Sequence, residues 1–220
     1  MNWEIKGHYV EFIEDEHIYL VDGIIMPSIT QILKIRFGNK YDGINKEVLE
    51  RASQKGTLVH EAIEKYCKEG IKEDLKEVNN FIFLQKHYKF EALDNEVPII
   101  LFKDNKPIAC GRLDLVLKID DKIGLGDIKR TSTLDKEYLG YQLNLYRIAY
   151  EQCYDKKVEF LKGLHLREDV RKFVNIPIND KLVWELVNEY LNIKNNVVTL
   201  EEFESYMPQN EYEYMNEFGV

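Results

Sequence analysis

The sequence predicts an α/β fold, a mixed central sheet flanked by helices, and three observations lead there. Segments rich in β-branched and aromatic residues are interleaved with segments whose apolar residues recur at helical spacing. Three β-rich segments, 96–103, 107–119 and 123–129, follow one another with only short turns between them, which favours hairpin pairing of neighbours. The chain of 220 residues is 45% hydrophobic, enough for a full core, and no Pro/Gly/Ser-rich linker or internal repeat divides it. The predicted organisation is one domain over 1–200, followed by an acidic, aromatic tail or closing helix over 201–220.

In chain order, strands near 8–13 and 17–21 are expected to form a hairpin, and Ser28 to cap a helix near 28–36. A glycine-punctuated loop around 38–43 leads to the segment from Gly56 to Cys67. This reads as a helix opened by Gly56 or Thr57, with Leu58, Val59, Ala62, Ile63 and Tyr66 as its apolar face. A further helix covers about 74–92, with Leu75, Val78, Phe81, Ile82, Gln85 and Tyr88 turned inward. The three β-rich segments follow, and Asp120-Asp121-Lys122 makes the last two a hairpin. Leu139, Gln142, Tyr146, Ala149, Tyr150 and Cys153 mark a helix over 134–154. Strands near 157–166 and 171–176, then a helix over 179–192 announced by Asn179-Asp180, complete the order.

The chemistry concentrates in that hairpin. Asp127 and Lys129 are two apart on one strand, so both side chains leave the same face while Ile128 points into the core. Asp114 lies on the partner strand. Two carboxylates with room for waters and substrate oxygens suit a hard cation such as Mg²⁺ or Mn²⁺, one ion or two. A lysine beside them can orient an attacking water and offset charge that builds on a phosphate. Gly111 and Gly126, close to the two aspartates, suggest backbone that bends or approaches a neighbour. Upstream, His60 and Glu64 stack on one side of their helix, beside the apolar stripe. His60 is either a hydrogen-bonded core residue or a metal ligand, and Glu61 faces away. Downstream, Gln142 interrupts an apolar stripe where an unpaired amide is costly. With Tyr146 one turn on, it either sits at the margin of a packed helix or reaches toward phosphate or water.

The order Gly-Thr-Leu-Val-His60, Gly111-Arg-Leu-Asp114, Asp127-Ile-Lys129 and Gln142-x-x-x-Tyr146 resembles the RecB-like branch of the PD-(D/E)XK nuclease superfamily. The likeness is to phage-type exonucleases and the Cas4-related group, and it spans roughly residues 12–154, including the opening segment from His17 to Leu33. The resemblance implies a restriction-endonuclease-like core and Mg²⁺- or Mn²⁺-dependent cleavage of DNA, most simply exonucleolytic and serving recombination or repair. It also implies His60, Asp114, Asp127 and the Ile128 carbonyl as metal ligands and Lys129 as the catalytic lysine, with Gln142 and Tyr146 positioning substrate. Glu96 matches the family's upstream glutamate in a supporting role, as does Glu64. The three cysteines, Cys67, Cys110 and Cys153, are isolated, so the iron-sulfur clamp of some relatives cannot be built. A structure-specific endonuclease would use the same chemistry. A nuclease-fold module without catalysis, acting through a partner, is the alternative from another class.

Net charge argues the other way. At −9 the chain is unusual for a protein that grips a polyanion. Six glutamates and no Lys or Arg fall in 201–220, and without them the balance is 30 basic against 33 acidic residues. That tail, rich in Tyr, Phe and Met, is expected to be a mobile acidic end, a peptide docking on a recombination or repair partner or on a second copy of the chain, or a closing helix. Preferred DNA contacts are Arg51, Lys55 and Arg130, with Arg112, Thr131 and Ser132 beside the metal clusters. Lys34, Arg36, Lys40, Lys136 and Thr133 are further candidates. An odd cysteine count without a signal-peptide pattern predicts a reducing cytoplasm, and no run is long enough to span a membrane. No G-x-x-x-x-G-K-[ST] loop is present, so ATP use is not expected.

Overall fold

The computed structural model describes residues 1–14, 16–38 and 43–196; the predicted tail over 201–220 and Lys40 lie outside the described residues. Four short strands, β1 (Asn2–Ile5), β2 (His8–Ile13), β3 (Ile18–Val21) and β4 (Ile24–Met26), form an antiparallel meander. The predicted 8–13/17–21 hairpin is its centre, with Val10 opposite Val21 and Ile13 opposite Ile18. Both outer strands were absent from the sequence reading, being too short to show a period. Helix α1 (Ile29–Phe37) follows with the expected cap. The Ser28 hydroxyl accepts from the Gln31 amide and the Gln31 side chain accepts from the Ser28 amide, a reciprocal capping box.

Helix α2 (Lys46–Glu69) corrects the expected helix start. It is capped by Asn45, whose side chain accepts from the Glu47 amide, and Gly56 and Thr57 lie inside it. Residues 46–55 are mostly good helix formers, and Leu49 and Ser53 bury, so the gain outlasts the roughly 1 kcal/mol that an interior glycine costs. Leu58, placed on the apolar face by periodicity, is exposed; Val59, Ala62 and Ile63 are the buried stripe. Helix α3 (Lys76–Tyr88) stops short of residue 92 because Lys89 turns left-handed and the strand begins at Glu91; Tyr88 is exposed rather than inward.

Strands β5 (Glu91–Lys103), β6 (Lys106–Ile119), β7 (Lys122–Lys129), β8 (Phe160–Leu166) and β9 (Arg171–Ile176) form one mixed sheet in that order. All neighbours are antiparallel except β7 and β8, which run parallel and are joined by α4 (Lys136–Tyr154). Helix α5 (Asp180–Asn196) ends the described chain. The large sheet thus has two covered faces. One core joins the meander, α1, α4 and α5 to it; the other packs α2 and α3 on Leu115, Leu117, Ile128, Leu164 and Leu166. This is a restriction-endonuclease-like architecture in general terms. Two glycines allow the layers to close. A Cβ on Gly163 would meet Leu139 of α4 at 2.4 Å, and one on Gly126 would meet Leu117 at 2.8 Å. The meander is tied to the sheet where the Cys110 amide donates to the Pro27 carbonyl at 2.9 Å.

Candidate active site

The site forms where β6 and β7 part. Their ladder runs from Ile119 opposite Lys122 to Leu115 opposite Gly126 and then stops, one step before Asp114 and Asp127. Beyond that point the Asp114 carboxylate replaces the missing backbone partner, accepting from the Ile128 amide at 2.6 Å. Strand β7 continues against β8 as far as Lys129 opposite His165. The splayed strand pair thus leaves the Asp114 carboxylate at the opening while it satisfies the Ile128 amide.

Asp127 and Lys129 share a face, as their spacing requires, and both are buried; the ammonium sits 3.0 Å from Asp127 Oδ2. Burial pushes the Asp127 carboxyl up against the pull of Lys129. His60 reaches in from α2. Its Nε2 donates to the Ile128 carbonyl at 3.2 Å, which turns Nδ1 toward Glu96 Oε1 at 3.7 Å and Asp114 Oδ2 at 3.8 Å. Burial alone would lower the imidazole pKa, but the carboxylates of Asp114 and Glu96 outweigh it and raise it to about 9. Burial, helped by the charge of Asp127, raises Asp114 to about 7.

Glu96 is a full member of the cluster rather than a supporter. It lies in β5 across from Asp114, between Asn95 opposite Leu115 and Val97 opposite Leu113, and its backbone is left-handed at φ 50°. A glutamate in that conformation inside a strand stores strain of about 1–3 kcal/mol. Arg112 holds the other carboxylate oxygen at 3.4 Å while stacking over Phe12, its guanidinium 5.1 Å from the ring centre. Ligating atoms of His60, Glu96 and Asp114 all lie within 4.8 Å of one another, a potential three-residue metal-binding site. The donor set fits a hard divalent cation, two carboxylates and one imidazole nitrogen whose orientation is fixed by a backbone carbonyl.

Helix α4 closes the opposite side. Gln142 and Tyr146 are both buried, the amide Nε2 donating to the phenol oxygen at 3.3 Å, and Gln142 Oε1 has no hydrogen-bond partner. Nearly every residue from Tyr138 to Tyr150 is buried, so the helix has no single apolar stripe for Gln142 to interrupt. Burial, then the charges of Asp127 and Asp114, hold the Tyr146 phenol protonated.

His60, Glu96, Arg112, Asp114, Gln142 and Tyr146 line a cleft of about 320 Å³, while Asp127 and Lys129 are buried outside its lining. Its outer wall is the meander, which contributes Phe12, Glu14, His17 and Tyr19; the sequence placed them in the opening hairpin but not at the site, because that depends on how the meander folds over β6. Gly56 and Thr57 line the rim, where the glycine leaves open space. A larger depression of about 750 Å³ beside Lys103 and Trp184, at the β5–β6 turn, gathers no comparable cluster of metal-ligating groups among the described residues.

The expected DNA contacts divide. Arg112 lines the cleft, though on Glu96. Arg51 and Lys55 are exposed on α2, Arg51 pairing with Glu47 at 3.4 Å. Arg130 is bound at 2.8 Å by the buried Glu77 of α3, which ties the end of β7 to that helix. The Thr131 hydroxyl donates to the Thr133 carbonyl, while Ser132 and Lys136 are exposed. Lys34 is buried, and Arg36 lies over the Tyr141 ring. Glu64 lines the cleft and pairs with Lys68 at 2.5 Å. Among the described residues no helix is long and apolar enough to cross a membrane.

No protein-family model matches the chain, and no curated protein sequence matches it. It is similar to a solved structure described as the crystal structure of SSO0001, with a TM-score of 0.42 and 14% identity over 84% of this chain and 83% of that one.

Proposed function

We propose that this chain is a divalent-metal-dependent deoxyribonuclease of the RecB-like PD-(D/E)XK type, acting at strand ends in recombination or repair. The observation that carries the reading is the convergence of His60, Glu96 and Asp114, from three separate elements, within 4.8 Å, with Asp127 and Lys129 packed beneath them. A cation bound there would supply Lewis acidity toward a phosphate and lower the pKa of a water.

His60, Glu96 and Asp114 would hold it, with Asp127 and the Ile128 carbonyl buried close behind them. The His60 ring keeps its ligating nitrogen inward through its bond to Ile128. Lys129 offsets negative charge that grows on the scissile phosphate and orients the attacking water, and its contact with Asp127 holds it in place. Gln142 Oε1, without a hydrogen-bond partner among the described residues, accepts a hydrogen bond from that water or from a sugar hydroxyl. Arg112, between Glu96 and the mouth, takes a flanking phosphate.

Purified protein should shorten linear end-labelled DNA in Mg²⁺ and in Mn²⁺ and spare covalently closed circles, and Asp127→Ala should leave both intact. Equal digestion of circles would make the enzyme an endonuclease. Cutting that persists in both Asp127→Ala and Lys129→Ala would remove the mechanism.

A further inference from the structure

We propose that the flank formed by α3 and β9 is a second nucleic-acid contact, a stacking track for single-stranded nucleic acid outside the cleft. It needs no catalysis and stands apart from the reading of the metal cluster.

The track is a continuous run of rings and cations. Arg171 of β9 lies over the Phe83 ring, 3.7 Å from its centre, and Phe83 stacks parallel to His87 at 5.8 Å and 9°. His87 meets Tyr88 edge-on at 4.8 Å, and Tyr88 meets Phe173 at 4.7 Å. Lys162 of β8 closes the run 5.0 Å from the Phe173 centre. An aromatic cluster that served only packing would hide its rings, yet Phe83 and Tyr88 keep 43% and 42% of their surface exposed. Exposed ring faces accept bases of any sequence, and cations between them meet the backbone.

Charge decides between a nucleic acid and an acidic protein partner. In a chain of net charge −9, neither Arg171 nor Lys162 makes an ion pair among the described residues, although carboxylates are plentiful. Carboxylate side chains would satisfy the cations but have no use for the rings, whereas a single strand uses both. Position separates the track from the cleft. Lys129 pairs with His165, and the next residue of β8, Leu166, pairs with Arg171. Arg171 is therefore two strands across from Lys129, roughly 10 Å at the usual strand spacing, and its side chain leaves the opposite face of the sheet.

The test is fluorescence anisotropy of a labelled fifteen-nucleotide oligo-dT and its oligo-rU counterpart in EDTA, with full-length protein whose melting temperature is checked for each variant. Phe83→Ala/Tyr88→Ala should weaken binding by about 10-fold or more. Arg171→Gln/Lys162→Gln should lower the log–log salt slope by about 1.4, two phosphate contacts on a single strand. Oligo-dT and oligo-rU should behave alike, since stacking is indifferent to the sugar. In Mg²⁺ both variants should keep kcat within about twofold and raise KM for DNA. Unchanged affinity and slope in the cation variant, whose substitutions are on the surface, would overturn the track, as would equal competition by poly-glutamate. A protein that bound oligo-dT through the flank but cut no DNA would leave the track standing and remove the nuclease reading.

Discussion

The cleft and the α3–β9 flank use charge in opposite ways. In the cleft, two carboxylates and an imidazole crowd around one opening, with Asp127 buried nearby and Arg112 already committed to Glu96. On the flank, Arg171 lies over the exposed Phe83 ring and Lys162 over the half-buried Phe173 ring, and neither makes an ion pair among the described residues. A net charge of −9 describes neither region. What a polyanion meets is the local field, and acidic residues gathered at a cation site are partly cancelled once that site is filled.

Breaking the cleft should give the largest effect. Asp127→Ala should reduce DNA turnover by about 10³-fold or more, roughly 4 kcal/mol of barrier, without loss of helical signal. Lys129→Ala should lose cutting to a similar degree yet still bind Mn²⁺, measurable by titration calorimetry. Metal affinity falling equally in both would mean that the lysine supports the site's shape rather than its chemistry.

Arg130 marks the boundary between the regions and sharpens it. Because Glu77 holds it at 2.8 Å in a mostly buried pair, Arg130→Ala should cost about 3 kcal/mol of stability and leave the salt dependence of DNA binding unchanged. A reduced salt slope with an unchanged melting temperature would return Arg130 to the DNA surface. A smaller effect is expected at Glu96. Glu96→Gln keeps the shape but removes a ligand charge, and should weaken Mn²⁺ binding by about 10–100-fold.

How much of this was legible in the sequence depends on how local each feature is. Ser28 with Gln31, the turn at 120–122 and the same-face placement of Asp127 and Lys129 follow from spacing, and the structure has all three. The parting of β6 from β7 at Asp114 was not legible, because it depends on where a ladder ends. Glu96 looked peripheral for a related reason: it enters the cluster through a left-handed residue inside a strand, which composition does not forecast. Arg130 looked like a DNA contact because it follows Lys129, while its partner Glu77 is 53 residues away in sequence. Leu58 and Tyr88 fit an apolar period yet are exposed, and although the central hairpin of the meander is legible, its place as a wall of the cleft is not.

The smallest predicted effect tests the cleft's charge without any substrate. In the metal-free protein His60 is raised from 6.5 to about 9, so between those values the folded chain keeps a proton that the unfolded chain has released. Its contribution to stability is whole below pH 6.5 and is lost as pH rises through 9. Asp114, raised from 3.8 to about 7, acts with the same sign over a lower range, because the folded state again binds the extra proton. Melting temperature should therefore fall from pH 6 to pH 8.5 in EDTA, at about 2–4 °C for each kcal/mol lost. Saturating Mg²⁺ displaces the protons and adds its binding energy to the folded state, so the fall should shrink, most at the higher pH. His60→Gln removes the later part of the titration and should flatten the curve between pH 7 and 8.5 even in EDTA. An unaltered slope in that variant would mean that the alkaline loss of stability arises outside the cleft, and that the contrast between crowded carboxylates and unpaired cations does not govern how this protein responds to pH.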